Sequence, residues 1–131
     1  NGHSIERCYN WAHTLLEDFN ELDKAHVNQK DLFLYLSDLK RIENWYLDIG
    51  SHQDEIKDYL IFFNKLYDIY KDLSKNLLSG GIAYPGLSQR LIVDNLELIN
   101  KWLKQNNKDK IIFIGLDALT NSQEKIIDYL L

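Results

Sequence analysis

The chain has 131 residues, with 15 basic and 20 acidic side chains, a net charge of −5 and 45% hydrophobic residues. This length suits one domain with a buried core, and the 27% charged and 12% aromatic residues argue against intrinsic disorder. The acidic total argues against an autonomous nucleic-acid-binding domain, which is normally basic, so any contact with phosphates requires a local basic patch.

The sequence carries no signal for export or membrane insertion. Its single cysteine, Cys8, excludes an internal disulfide and suits a reducing compartment. No apolar run approaches the roughly 18–20 residues of a membrane span, and the N-terminus lacks a signal-peptide pattern. We therefore expect a cytoplasmic protein with no membrane partner.

Apolar residues recur at three- and four-residue steps over the first half of the chain, and this spacing predicts three long helices. Ser4 is the candidate N-cap of the first helix. The second runs from about residue 31 to residue 49, with Gly50 as its C-terminal cap. Ser51 caps the third helix, which continues to a Ser-Gly-Gly stop at residues 79–81. The predicted core stripes of the first two helices comprise Ile5, Cys8, Tyr9, Ala12, Leu15, Leu16, Phe19, Leu22, Leu32, Tyr35, Leu36, Leu39, Ile42, Tyr46 and Ile49.

A fourth helix is predicted over residues 87–104, followed by a polar turn at residues 106–110. The next four residues, 111–114, are apolar and mostly β-branched, and they lie between that turn and Gly115. A short apolar run bounded in this way predicts a buried strand.

Thr120, with Gln123 three residues later, matches a capping box that opens a last helix. The predicted fold is mainly α: residues 1–110 form an antiparallel bundle of about four helices, and residues 111–131 form a C-terminal strand–turn–helix stub. One strand cannot make a sheet, so it pairs either with another segment of this chain or with the remainder of a parent protein. The second alternative is favoured, because the chain also lacks methionine and ends in an apolar run.

No catalytic or metal-binding motif is present. Cys8 lies on an apolar stripe and is interpreted as a core residue. The acidic group at residues 17–23 is interpreted as a solvated helix face, with a metal site as the alternative. We therefore predict no catalytic residue, no metal and no cofactor. The histidines lack the spacing of a helix-borne zinc pair, and they are His3, His13, His26 and His52.

Basic residues cluster late in the chain, around Trp102. The candidate DNA contacts are Arg90, Lys101 and Lys104, and helix spacing places the two lysines on neighbouring positions. Cations beside an aromatic side chain are typical of a groove that follows a nucleic-acid backbone. The alternative is the polar side of an amphipathic helix, with Trp102 in the core.

Two stretches resemble a known family. The run from Trp11 to Lys24 is similar to a segment of Bacteroidetes helicase-like proteins that carry a PD-(D/E)XK nuclease domain. These proteins are related to the AddB/RexB subunits of recombination exonucleases. The run from Ile111 to Glu124 resembles the segment that, in the same proteins, stands at the Walker B strand of superfamily 1 helicases.

In those helicases an Asp-Glu pair ends the strand; the Asp holds magnesium and the Glu activates the attacking water. Ile114 and Gly115 occupy these two positions, and neither can bind a hard cation or accept a proton. The resemblance therefore implies an inactivated superfamily 1 motor. Residues 1–110 would be its helical subdomain 1B, and residues 111–131 would be a truncated piece of its RecA-like core.

The function that the resemblance implies is a non-catalytic segment of a DNA end-processing nuclease active in recombination and DNA repair. It would serve as a scaffold and as a wall of the DNA path. Its partners would be DNA, the remainder of the parent polypeptide and a partner helicase–nuclease subunit. The main alternative is a helical protein–protein interaction module with no DNA contact, which agrees with the acidic total. A metal-dependent enzyme at the acidic group is a further alternative.

Overall fold

A computed structural model describes the backbone of residues 2–46 and 53–131, and the side chains of residues 9, 11–39, 61–62 and 65–131. Across these residues the chain forms six helices and no strand, which confirms the prediction of a mainly α fold. None of these helices is long and apolar enough to cross a membrane. The helices are α1 (Gly2–Lys24), α2 (Gln29–Tyr46), α3 (Gln53–Ser79), α4 (Pro85–Asp94), α5 (Glu97–Gln105) and α6 (Asn121–Leu130).

The helices belong to two compact units. Unit 1 comprises residues 1–26 and 83–131, and in it α1, α4 and α6 pack against one another. Phe19 and Leu87 are buried in this unit. Unit 2 comprises residues 27–82, where α2 packs against α3. The predicted boundary at residue 110, between a bundle and part of a RecA-like core, stays a prediction. The buried hydrophobic residues of unit 2 are Phe33, Leu66 and Tyr70.

Two local signals at helix ends are confirmed. α3 ends at Ser79, and Gly81 follows with a φ of +69°, a left-handed conformation that favours glycine. The capping box is also present: the Thr120 hydroxyl accepts a hydrogen bond from the Gln123 amide at 3.3 Å, and the Gln123 side chain accepts one from the Thr120 amide at 3.0 Å. Both devices depend on residues close in sequence, which is why the sequence predicts them.

The predicted N-cap of the first helix is wrong. α1 begins at Gly2, so Ser4 lies inside the helix and cannot be the capping residue that precedes its first turn. The predicted caps at Gly50 and Ser51 lie outside the described residues, as does the end of the second helix at residues 47–49.

The predicted strand at residues 111–114 is also wrong. Residues 108–120 form neither helix nor strand, and the side chains of Ile112 and Ile114 are 68% and 86% exposed. A strand requires a hydrogen-bonded neighbour, and the described part of the chain contains no such neighbour. β-branched residues therefore do not produce a strand here, because their intrinsic preference is weaker than the need for pairing.

The predicted fourth helix over residues 87–104 is two helices, so the bundle of four is not what the chain forms. α4 ends at Asp94, and Asn95 has φ −147° and ψ 68°, outside the helical region. The Leu98 amide then donates to the Asn95 carbonyl at 3.0 Å, which makes a tight turn before α5. Asp and Asn side chains compete for backbone hydrogen bonds, so an Asp-Asn pair is a weak point in a helical pattern.

The buried face of α2 differs from its predicted apolar stripe. Gln29, Phe33 and Ser37 follow one another at four-residue steps and are buried, whereas Tyr35 of the predicted stripe is 61% exposed. The Gln29 amide donates a hydrogen bond to the Tyr70 hydroxyl at 2.8 Å. A polar residue is therefore accommodated in this interface because its hydrogen-bonding group has a partner.

Among the described side chains of α1, the buried ones lie toward its C-terminal end. Phe19 has no exposed surface, whereas Tyr9 is 70% exposed. The burial coincides with the start of α4, where the Gly86 amide donates to the Asn20 side-chain oxygen at 2.8 Å. A Cβ on Gly86 would lie 2.2 Å from the Asn20 carbonyl oxygen, so the approach of α4 to α1 requires glycine.

We predict that Gly86→Ala lowers the free energy of unfolding by about 1–3 kcal/mol, because the two backbones must move apart. Gly80→Ala is the matched control, since a Cβ there would lie 3.4 Å from its nearest neighbour. Urea unfolding followed by circular dichroism measures both variants. Equal stability of the two variants would contradict this explanation of the glycine.

Candidate functional site

Asp23, near the end of α1, is completely buried and lies at the centre of a polar network. Its carboxylate accepts hydrogen bonds from Arg90 Nε at 2.5 Å and from the Tyr84 hydroxyl at 2.6 Å. Its backbone carbonyl accepts a third from the Ser122 hydroxyl at 2.9 Å. Arg90 also donates to the Leu22 carbonyl at 3.4 Å. One residue of α1 thereby connects α1 to α4 and α6.

His26 continues this network where α1 has ended. Its Nε2 lies 2.9 Å from the Asp94 carboxylate, and its Nδ1 lies 2.8 Å from Lys125 Nζ. A lysine ammonium can only donate, so Nδ1 accepts and Nε2–H donates to Asp94. A further bond to α6 runs from the Asn121 amide to the Ala25 carbonyl at 3.1 Å.

The Asp23 network is a structural connection and not a reaction centre. Asp23 has no exposed surface, and the Arg90 side chain is 13% exposed. A general acid or base must come within hydrogen-bond reach of its substrate, and this carboxylate has no path to one. The network instead neutralises a buried charge and fixes three helices.

The predicted acidic group at residues 17–23 does not converge on one point. Glu17, Asp18 and Glu21 are exposed, whereas Asp23 is held by Arg90. Lys24 Nζ lies 2.7 Å from the Glu21 carboxylate, and this hydrogen bond lowers the pKa of Glu21. In the described part of the chain, no group of three or more His, Cys, Asp and Glu side chains could hold a metal ion. The metal-site alternative therefore has no ligand set in these residues.

The candidate DNA contacts fall in two different environments. Arg90 is bound to Asp23, so its charge is compensated inside unit 1. Lys101 and Lys104 are exposed on α5 and form no ion pair with any described residue. Lys101 and Lys104 therefore lie on the same helix, whereas Arg90 has a structural role in unit 1. Contact of these residues with DNA stays a prediction.

An apolar groove with a volume of about 450 Å³ is lined by side chains of α4, α5 and α6. Trp102 is 55% exposed, so it is not the core residue that the alternative interpretation expects. A hydrogen bond of 2.7 Å from the Asn100 amide to the Tyr129 hydroxyl joins α5 to α6. This groove, the α5 groove below, is lined by Ile92, Leu98, Ile99, Trp102 and Ile126.

The segment before α6 carries further exposed apolar side chains. A second depression of about 310 Å³ includes Gly115, which has a φ of +73°, and Leu119 in its lining. Ile126 lines both depressions, so α6 contributes to each. Further exposed apolar side chains of the segment are Ile111, Ile112, Ile114 and Leu116.

Sequence reasoning missed the Asp23–Arg90 pair and the α5 groove. The pair joins residues 67 positions apart, and the bond from Ser122 to Asp23 spans 99 positions. No local sequence pattern indicates contacts between residues so far apart in the chain. The one available signal was Asp23, an acid beside the apolar stripe of the first helix. A buried acid requires a cation, so this position indicates a basic partner elsewhere in the chain.

No protein-family model, curated protein or solved structure matches the chain. The likeness to helicase-like nucleases therefore depends on the two motif segments described above. The fold and the site together define a helical protein with an exposed apolar groove in unit 1.

We predict that Arg90→Gln lowers the free energy of unfolding by about 3 kcal/mol, because it leaves the Asp23 charge buried without its cation. The exposed, unpaired Lys101→Gln should change stability by less than about 0.5 kcal/mol. Urea unfolding measures both. The double variant Asp23→Asn/Arg90→Gln should lose less than the sum of its single variants, and additive losses would contradict a direct pair.

Proposed function

We propose that this chain is a non-catalytic, helicase-like scaffold segment of a cytoplasmic nuclease that processes DNA ends in recombination and repair. The two motif segments, residues 11–24 and 111–124, suggest this family. The observation that carries the scaffold role is the exposure of Ile112 and Ile114 directly before the capped helix α6. Burial of such side chains contributes about 25 cal/mol of favourable free energy per Å² of apolar area. A complex in which another protein surface covers them is stabilised by this amount.

The proposed role includes no ATP hydrolysis. By the resemblance, Ile114 and Gly115 align with the Asp-Glu pair of superfamily 1 helicases, although residues 108–120 form no strand here. Neither residue offers an oxygen ligand for magnesium or a base for water. The nuclease chemistry would belong to another part of the parent polypeptide. The remainder of that polypeptide and a partner helicase–nuclease subunit are the proposed protein partners.

We predict that the chain shows no magnesium-dependent ATP hydrolysis above the rate of a buffer blank. Phosphate release, followed with and without magnesium, measures this. A magnesium-dependent turnover that survives repurification of the chain would contradict the assignment of residues 111–124 to an inactivated Walker B segment.

The DNA-wall part of the proposal depends on two exposed cations. Lys101 and Lys104 lie one helical turn apart on α5, without ion-pair partners among the described residues. Trp102, which lies between them in the sequence, is half exposed and offers an aromatic face. Two lysine contacts on a chain of net charge −5 support only weak binding to DNA, and added salt weakens this binding further.

We predict weak binding to single-stranded and forked DNA, with an affinity that falls as salt rises. Lys101→Gln/Lys104→Gln should reduce the slope of log K against log salt by about one per lysine. Lys65→Gln/Lys75→Gln, two exposed lysines of α3, is the matched control and should leave the slope unchanged. Fluorescence anisotropy across a salt series measures all three proteins.

Absence of binding even at low salt would remove DNA from the proposal. The second candidate function, a helical protein–protein interaction module without DNA contact, would then stand. The α5 groove specifically favours this candidate, since an apolar groove is suited to side chains of another protein and not to phosphates.

A further inference from the structure

The segment before α6 is an extended stretch of chain in unit 1. Residues 108–116 contain no helix, turn or bend. Within them the exposure of the side chains alternates: Ile112 and Ile114 are 68% and 86% exposed, whereas Ile111 is 42% exposed and Phe113 is half-buried. Successive side chains of an extended chain point to opposite sides, so this alternation indicates the backbone geometry of a β-strand that lacks its neighbours.

The backbone of this segment is also unpaired. No amide or carbonyl of residues 109–119 forms a hydrogen bond with another described residue. The nearest backbone hydrogen bonds belong to the helix ends, and the first runs from the Lys108 amide to the Leu103 carbonyl at 3.0 Å. Both edges of residues 111–114 therefore carry donors and acceptors that are not paired within the described chain. An edge of this kind is a template for pairing with another extended chain.

We infer that residues 111–114 add as a strand to the edge of a β-sheet in a partner protein. In strand addition the main-chain hydrogen bonds supply the affinity, and side chains at alternate positions supply the specificity. Ile112 and Ile114 would pack against side chains of the partner's edge strand on the same face of the sheet. The three isoleucines of the segment favour this conformation, because β-branched residues fit the pleated surface of a sheet.

The unpaired backbone selects a strand over a helix as the occupant. The backbone groups of a helix bond within the helix, so a helix would cover the isoleucines but leave the amides and carbonyls of residues 111–114 unpaired. An extended chain from a partner meets both requirements at once, because it offers its own amides and carbonyls together with apolar side chains.

Two other occupants fit the segment less well. Two copies of residues 111–114 would form only a two-stranded ribbon, which is marginal in water, whereas a partner's edge strand already belongs to a larger sheet. Nucleic acid is recognised mainly through its phosphate and sugar oxygens, and no side chain of residues 111–114 can donate a hydrogen bond to them.

Strand addition rests on the scaffold part of the proposed function and not on its DNA part. It specifies how the protein partner is recognised, which both candidate functions leave open. The two parts can fail separately, because the DNA test measures the salt dependence that Lys101 and Lys104 produce, whereas the strand test measures pairing by the backbone of residues 111–114.

The test uses the full chain and a labelled peptide in which valine and threonine alternate, with a lysine at one end and a glutamate at the other. Fluorescence anisotropy should show saturable binding. The same peptide with methylated backbone amides cannot donate main-chain hydrogen bonds and should bind at least about tenfold more weakly. An amphipathic helical peptide should also bind at least about tenfold more weakly, because its backbone is already paired.

Proline variants of the chain locate the pairing in its backbone. Ile111→Pro and Ile112→Pro each remove one amide, and the amides of neighbouring residues face opposite edges of a strand. Whichever edge the peptide uses, at least one of the two variants should weaken its binding by about tenfold. The matched controls Ile111→Val and Ile112→Val keep the amide and the β-branched side chain, and they should bind the peptide as the unchanged chain does.

Two further measurements separate pairing from misfolding. Urea unfolding of the two proline variants should match that of the unchanged chain, because neither amide is bonded to a described residue. Binding of the alternating peptide should also slow the hydrogen exchange of amides in residues 111–114, which can be followed by NMR of the unchanged chain.

Equal binding of the methylated or the helical peptide would overturn the inference, and so would binding that neither proline variant weakens. Dimerisation of the chain that both proline variants abolish would assign the segment to a second copy. Displacement of the peptide by a single-stranded oligonucleotide would assign it to nucleic acid. If no peptide binding is seen up to about 1 mM but the lysine-dependent salt slope persists, the inference fails while the DNA part of the proposed function stands.

Discussion

The carboxylate of Asp23 has no contact with solvent, and the packing of unit 1 depends on how its negative charge is compensated. Left unpaired, a buried ion costs several kcal/mol. Arg90 and Tyr84 supply the partners, so α4 must begin just after Tyr84 and lie against α1. Gly86 permits that approach because it has no Cβ, and Ser122 brings α6 to the same residue.

This arrangement determines which basic side chains of unit 1 are paired and which stay exposed. Arg90 is paired with Asp23, whereas Lys101 and Lys104 of α5 stay exposed. α4 and α6, which supply Ile92 and Ile126 to the groove, are fixed by the Asp23 network. Two walls of the α5 groove therefore lie on helices that the Asp23 network fixes, whereas α5 is joined to α6 by the hydrogen bond from Asn100 to Tyr129.

The sequence predicted those features that depend on neighbouring residues. Gly81 and the pair Thr120–Gln123 act within one turn, and both are as expected. The strand at residues 111–114 failed because pairing is a tertiary requirement. The sequence also could not predict that Arg90 is paired while the α5 lysines are exposed, because its partner Asp23 lies 67 residues away in the chain.

The two motif segments contain the residues that hold unit 1 together. The first includes Phe19, which is fully buried, Asn20, which receives α4, and Asp23. The second includes the capping box of α6 and Ser122. Such residues preserve the packing of α1, α4 and α6 whatever the molecule binds. A resemblance carried by them therefore bears on how unit 1 is packed and not on what unit 1 binds.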